Sequence, residues 1–244
     1  MILLYHALQT RYSTHKQRSW IITTLSSATM SLCSAPFVFD VLFSRGDITA
    51  LQPRLDLAAL ICRTFQGFLL ADLVAGCRYY RRHITIGWGW IHHSAYIVLL
   101  HYMIQRGWAP GFCLCAVMEL PTFQLSLSFL HPRLRHDLLF CASFFATRII
   151  FHLFVFGIFC SPAGVSLAQG SRLPATFLAL AFPGHLVWFA QSVRGAIRRR
   201  HRSVRKRDMP RAAFLNQALV CATLVSVDDM TPLWERGNMP ISTM

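Results

Sequence analysis

The sequence predicts an all-α membrane protein, a bundle of about six transmembrane helices around a polar cavity. Three observations lead to this fold class: charged residues are few, long apolar stretches recur, and the basic residues fall mainly between those stretches. Charged residues form only 14% of the 244-residue chain and apolar residues form 54%, whereas a soluble domain carries about 25% charged residues. The mean hydropathy of +0.42 agrees with a chain that lies largely in lipid.

Six apolar segments each approach the ~20 residues that a helix needs to cross the hydrocarbon core. They cover residues 20–43, 55–80, 84–105, 108–130, 138–160 and 173–193. The chain therefore divides into an N-terminal segment (1–19), a transmembrane domain (20–193) and a basic, largely disordered tail (194–244). Within that tail, residues 214–227 are apolar but short, and we interpret them as an interfacial helix. Pro121 and Pro183 interrupt two of the segments, and a buried bundle position can tolerate such kinks.

The distribution of Arg and Lys predicts the orientation. Six crossings place both termini on one side. That side also receives three basic residues from the N-terminal segment, Arg78, Arg81 and Arg82, Arg133 and Arg135, and nine from the part of the tail between Arg194 and Arg211. The opposite side receives only Arg45, Arg54, Arg106 and Arg172. Because basic residues accumulate on the cytosolic side, both termini are predicted to be cytosolic. The net charge of +14 is explained by this topology, so no nucleic-acid partner is expected.

The eight cysteines do not indicate a disulfide framework or a metal site. None forms a CxxC pair, and seven lie within or at the edge of apolar runs. We interpret them as small apolar residues of membrane helices, and no metal is expected.

Ionisable residues inside the apolar segments carry the functional information, because each costs on the order of 2.5–3.5 kcal/mol in the hydrocarbon region. They are Arg63, Asp72, His92, His93, His101, Glu119, Arg148, His152 and His185. The formal charges of Arg63, Asp72, Glu119 and Arg148 sum to zero, as a paired interior would require. These residues are either structural ion pairs or a site for binding or chemistry.

Helical spacing separates these residues further. His93 and His101 share a broad face about 12 Å apart, too far to bind one metal, whereas Arg148 and His152 are i,i+4 neighbours. We interpret His101 and His185 as interfacial side chains near helix ends. For Arg63, snorkelling to the surface and a place in the interior both remain open, as do structural and reactive roles for His92 and His93.

Motifs of soluble enzymes, such as GxSxG, HExxH, Walker-type loops and GxGxxG, do not occur. Any chemistry must therefore use a histidine beside a carboxylate as a general base. Its substrate must dissolve in the bilayer.

The order of several short blocks from about Lys16 to Arg200 resembles the TLC-domain family, which includes the ceramide synthases. These blocks are "KQRSWIITTLSSATMSL", "FLLADLVAGCRYY", "GWIHHSAYIV", "VMELPTF", "LRHDLLFCASFFATRIIFH" and "FPGHLVWF". The likeness is greatest to fungal TLC-domain proteins and to animal ones outside the ceramide synthases. The resemblance implies a multi-pass bundle of the endoplasmic reticulum whose partners are membrane lipids.

The resemblance implies two possible functions, and the buried charges suggest a third function class. The first is lipid binding, sensing or homeostasis, with Asp72, His93, Glu119, Thr122, Arg148 and His152 around a headgroup. The second is an N-acyltransferase of the ceramide synthase type, with His92, His93 and Glu119 as its catalytic residues and acyl-CoA as co-substrate. No other cofactor is expected. Ceramide synthases carry a double aspartate where this chain has only Glu119, so lipid binding is favoured. A transporter is the weaker alternative.

Overall fold

The computed structural model describes residues 2–208 and is built from helices, with no strand in that range. The α-helices are α1 (Ile2–Gln9), α2 (His15–Arg18), α3 (Ile21–Phe43), α4 (Leu55–Tyr79), α5 (His92–Gln105), α6 (Ala109–Cys115), α7 (Leu120–Leu130), α8 (Asp137–Phe144), α9 (Phe151–Cys160), α10 (Pro162–Leu167) and α11 (Leu173–Asp208). Short 3₁₀ and π-helical turns join several of them. The predicted all-α fold class is confirmed.

Five helical stretches in residues 2–208 are long and apolar enough to cross a membrane. They are His15–Phe43, Ile48–Tyr79, Ala109–Leu130, Asp137–Cys160 and Leu173–Arg205. The predicted segment 84–105 is also largely helical, as a π turn (Ile86–Ile91) followed by α5, but its histidines make it less apolar than the others. Many large apolar side chains point outward, among them Leu32, Leu138 and Leu180 at 74–85% exposure. Such a surface suits a protein surrounded by lipid.

The chain alternates between two ends of the bundle. At the first, which we call the basic end, Tyr5 stacks on Tyr79 at 5.5 Å between ring centroids, and Trp20 stacks on Phe129 at 4.5 Å. At the second, the opposite end, the Gln169 side chain donates to the Arg106 carbonyl. There α10 also packs against the 3₁₀ helix Ile48–Arg54. The segment containing α5 therefore runs from the basic end to the opposite end, although it is not among the five described stretches that are apolar enough to cross a membrane.

The basic end collects the turns that the sequence predicts to be cytosolic. The N-terminal segment, the turn after α4 and the turn after α7 meet there. The Tyr12 hydroxyl lies 3.2 Å from Nε2 of His131, and Arg18 donates to the Tyr12 carbonyl. The opposite end holds Arg45, Arg54, Arg106 and Arg172 on its three connections. The asymmetry of charge read from the sequence is therefore also an asymmetry between the two ends of the bundle.

The last helix is longer than predicted. Helix α11 does not end at Val193 but continues to Asp208, so residues 194–208 of the predicted disordered tail are helical. The first of the chain's two units ends at this point, at Val193. The predicted interfacial helix at 214–227 lies outside the described residues.

The core of the first unit lies where α3, α4, α6 and α7 pack together. Met30, Phe37 and Leu114 are fully buried there. Helix α5 packs on one side of this core against α4, and α9 contributes Val155 and Phe159 to it. Asp72, His92 and His93 lie beside this core, toward the basic end.

Candidate functional site

Asp72 and His93 form the first half of the site. Asp72 is buried on α4, and the Tyr80 hydroxyl donates to its Oδ1 at 2.7 Å. Its other oxygen, Oδ2, lies 3.3 Å from Nδ1 of His93. That contact is close enough for ionic attraction, but it is not aligned as a hydrogen bond, since Nδ1 has no hydrogen-bond partner.

Tyr80 holds the aspartate from the basic end. It lies just past the last residue of α4, and its ring packs 5.9 Å from that of the fully buried Tyr5 on α1. Burial, together with the neighbouring Asp72 carboxylate, raises the pKa of the Tyr80 phenol far above its ordinary value. The phenol therefore keeps its proton and acts as a permanent donor to Asp72.

Arg148 and Glu119 form the second half. The Arg148 guanidinium donates through Nε to the Met118 carbonyl at 2.7 Å and through Nη2 to the Thr122 hydroxyl at 2.8 Å. The same Nη2 lies 3.7 Å from Oε1 of Glu119, whose side chain is 30% exposed against 11% for Arg148. The ring of Phe144 also lies beneath the guanidinium, 5.4 Å from its centre. Arg148 is therefore held on several sides, and Glu119 is the more accessible partner.

His92 connects the two halves. Its ring lies 4.5 Å from that of Tyr96 and 5.9 Å from that of His93. The Glu119 carboxylate interacts electrostatically with both imidazoles. Asp72, His92, His93, Glu119 and Arg148 thus make one group, which we call the polar cluster.

Turns that are not α-helical present four of these residues. A π turn (Ile86–Ile91) directly precedes His92 and His93, a 3₁₀ turn (Ala116–Glu119) ends at Glu119, and a π turn (Phe145–Ile150) contains Arg148. The 3₁₀ turn follows from Pro121, which has no N–H to donate to the Val117 carbonyl. That carbonyl instead accepts from the Leu120 N–H. Single π turns inside helices are frequent at functional sites.

Two further histidines lie beside Arg148. His152 is buried, and its Nε2 lies 3.0 Å from the Leu178 carbonyl on α11. Its ring meets that of His185 edge to face at 5.0 Å. The Nδ1 atoms of both rings are buried without a hydrogen-bond partner. His185 is therefore not the interfacial side chain that its sequence position suggested.

The structure brings together most of the residues singled out in the sequence and separates others. Asp72 and His93 meet, as do Glu119, Thr122 and Arg148, and His152 lies one turn from Arg148. Arg63 and His101 are exposed. Arg63 therefore does not belong to the internal charge balance, and the polar cluster contains two carboxylates and one guanidinium.

Sequence reasoning missed two contributors to this region. Tyr80 and Trp188 had no assigned role inside the bundle, yet Tyr80 binds Asp72, and Trp188 lies 5.7 Å from the Arg148 guanidinium and 6.0 Å from the His185 ring. Their aromatic character alone indicates only an interfacial position, and only the packing of the helices brings them to these partners. Among the described side chains, no group of three or more His, Cys, Asp or Glu is placed to hold a metal ion.

No family model, curated protein or solved structure matches the chain.

Proposed function

We propose that this chain is a TLC-like membrane protein that binds the polar group of a lipid in the polar cluster and acts in lipid binding, sensing or homeostasis. The observation that carries the proposal is the convergence of ionisable side chains from α4, α5 and the segments around α7 and α9 at membrane depth. Such residues are costly in a bilayer and usually line a substrate or ion site. The order of the sequence blocks that resemble TLC-domain proteins supports a lipid as the ligand.

The arrangement of charge suits a headgroup better than a purely structural pair. Arg148 is anchored by Met118 and Thr122 as well as by Glu119, so it would stay in place if Glu119 turned toward a ligand. His93 has an unsatisfied buried nitrogen, and burying a polar group without a partner is unfavourable. A ligand that offers both donors and acceptors would satisfy these groups.

Exchange of His93 for phenylalanine should reduce lipid retention at least about fivefold, the effect of losing one hydrogen bond of ~1 kcal/mol. Protein purified in mild detergent is extracted, and the co-purifying lipids are quantified by mass spectrometry. His101→Phe is the matched control, because His101 is exposed on the same helix. Identical lipid profiles for the wild type and His93→Phe would contradict headgroup binding at this site.

A ceramide synthase-like N-acyltransferase is the second candidate, and the His93–Asp72 contact favours it. A carboxylate at Nδ1 orients an imidazole and stabilises its protonated form, which leaves Nε2 to act as a general base. In that function His93 would take a proton from the amine as it attacks the thioester carbon of acyl-CoA, the co-substrate, with His92 and Glu119 nearby. The C–S bond would then break and coenzyme A would leave as the thiol, which takes up the proton.

We also infer that the basic end faces the cytosol, in the membrane of the endoplasmic reticulum, with both termini on that side. In a cysteine-free background, Arg133→Cys is expected to react with a membrane-impermeant maleimide in sealed microsomes, whose cytosolic face is outward. Arg45→Cys should react only after permeabilisation. Both positions are exposed, so the reverse labelling pattern would show that the orientation is inverted.

A further inference from the structure

An open pocket of about 590 Å³ lies at the opposite end of the bundle, away from the polar cluster. Its lining residues are Asp40, Phe43, Ser44, Ala50, Pro53 and Arg54. They belong to the last turn of α3, the connection after it and the 3₁₀ helix that leads into α4. Two membrane-crossing stretches end and begin here, so the pocket lies at the level where lipid headgroups meet the protein.

An ion pair forms one wall of the pocket. The Arg54 guanidinium binds the Asp40 carboxylate through two contacts, Nε to Oδ2 and Nη2 to Oδ1, the second at 3.1 Å. The side chains remain 36% and 25% exposed. A guanidinium has five N–H donors and a carboxylate has about four acceptor positions. The pair therefore leaves N–H donors of Arg54 and acceptor positions of Asp40 available to a ligand. The pocket therefore presents a positive and a negative group side by side.

Apolar surface continues directly from this ion pair. Phe43, which also lines the pocket, is 84% exposed, and Phe39 stacks on it one turn earlier with 55% of its surface exposed. These rings face outward along the first membrane-crossing stretch. A molecule that filled the pocket with its polar part would thus place an apolar chain along Phe43 and Phe39.

We propose that this pocket binds the headgroup of a zwitterionic phospholipid, with its phosphate on Arg54 and its ammonium group near Asp40. An anionic headgroup would satisfy Arg54 but bring its charge close to Asp40, and a simple amine would be repelled by Arg54. A headgroup that carries both a positive and a negative group can place each one beside the protein charge of opposite sign, so neither is repelled. This site is independent of the polar cluster and of the function proposed for it.

Native mass spectrometry of the full chain in detergent tests the proposal. The protein is titrated with phosphatidylcholine and with phosphatidylglycerol of identical acyl chains. One phosphatidylcholine should bind at least about fivefold more tightly than phosphatidylglycerol, the preference that an exposed charge pair of ~1 kcal/mol produces. Equal or tighter binding of phosphatidylglycerol would overturn the proposal, because it would indicate a simple basic surface.

Two variants locate the binding. Arg54→Gln should abolish the preference for phosphatidylcholine. Because it also removes the ion pair, Ala50→Trp provides a second test, since it fills the pocket and leaves the pair intact. Arg172→Gln is the control, an exposed arginine on another connection at the same end. Wild-type binding of phosphatidylcholine by Ala50→Trp would overturn the proposal.

Competition with a soluble headgroup shows whether the pocket binds a bilayer lipid or a free metabolite. Glycerophosphocholine carries the same two charges without acyl chains, so it should displace phosphatidylcholine only at concentrations far above that of the lipid. Displacement at comparable concentrations would assign the pocket to a soluble ligand and contradict the phospholipid proposal.

Discussion

Replacement of Arg148 by methionine is expected to lower the free energy of unfolding by about 2 to 3 kcal/mol. Removing one partner of a buried ion pair costs about 3 to 5 kcal/mol, because the other charge remains buried and unpaired. We expect a smaller cost for Arg148→Met because the Glu119 side chain is 30% exposed and would regain some hydration. The variant also loses the hydrogen bonds to the Met118 carbonyl and the Thr122 hydroxyl.

A double-mutant cycle separates the ion pair from these other contacts. Glu119→Gln alone should destabilise less than Arg148→Met, since Arg148 keeps two of its acceptors. The double variant should be more stable than the sum of the single changes predicts, because no unpaired carboxylate remains. Equilibrium unfolding in mixed detergent micelles provides the free energies.

Arg63→Met is the matched control for this cycle. It makes the same substitution in another membrane-crossing stretch, at an arginine that is exposed, so its effect should stay within about 0.5 kcal/mol. If Arg148→Met destabilised no more than Arg63→Met, the guanidinium would not be the anchor of this region.

Length and hydropathy were sufficient to predict the helices and their alternation between two ends. A helix must satisfy its backbone within itself to cross lipid, so an apolar stretch of about twenty residues has few alternatives. The basic turns followed from the same logic, since arginine is excluded from the hydrocarbon and gathers at the connections. The extent of α11 could not be predicted in this way, because a helix rich in arginine can continue beyond its apolar part.

The side-chain partners were harder to predict, because they depend on rotation about each helix axis. Ideal helical spacing placed His93 and His101 on one broad face, yet His93 meets Asp72 while His101 is exposed. The π turn before His92 rotates α5 as a whole and therefore does not separate the two histidines. Which of them meets a polar partner depends on the residues of α4 that lie at the same level. Tyr80 and His185 show the same limit, since each finds its partner on the basis of packing rather than spacing.

Asp40 and Arg54 illustrate a second limit. Both lie near the predicted ends of apolar segments, where charged side chains are ordinary. The sequence therefore gives no reason to pair them. Fourteen residues separate them along the chain, and only the 3₁₀ helix that folds the connection back against α3 brings them together. Pairs of this kind become visible only once the path of a connection is known.

If the chain is an acyltransferase, His93→Ala is expected to lower its rate at least about 100-fold, the usual contribution of a general base. Purified protein is assayed with a sphingoid base and a long-chain acyl-CoA, and the N-acylated product is measured. Asp72→Asn should show a loss of similar size, because the amide would neither stabilise the protonated imidazole nor hold it in the same tautomer. His101→Ala should retain full activity.

Tyr80→Phe distinguishes catalysis from simple structural support. It removes the hydroxyl that binds Oδ1 of Asp72 but leaves His93 and the aromatic packing in place. Without that donor, Asp72 no longer holds His93 in one orientation, so the variant should lower kcat with little change in KM. Tyr80 is thus a positioning residue in this hypothesis, and an unchanged kcat with a raised KM would contradict that role. Equal product formation by the wild type and His93→Ala would exclude the acyltransferase function of His93 and leave the lipid-binding proposal standing.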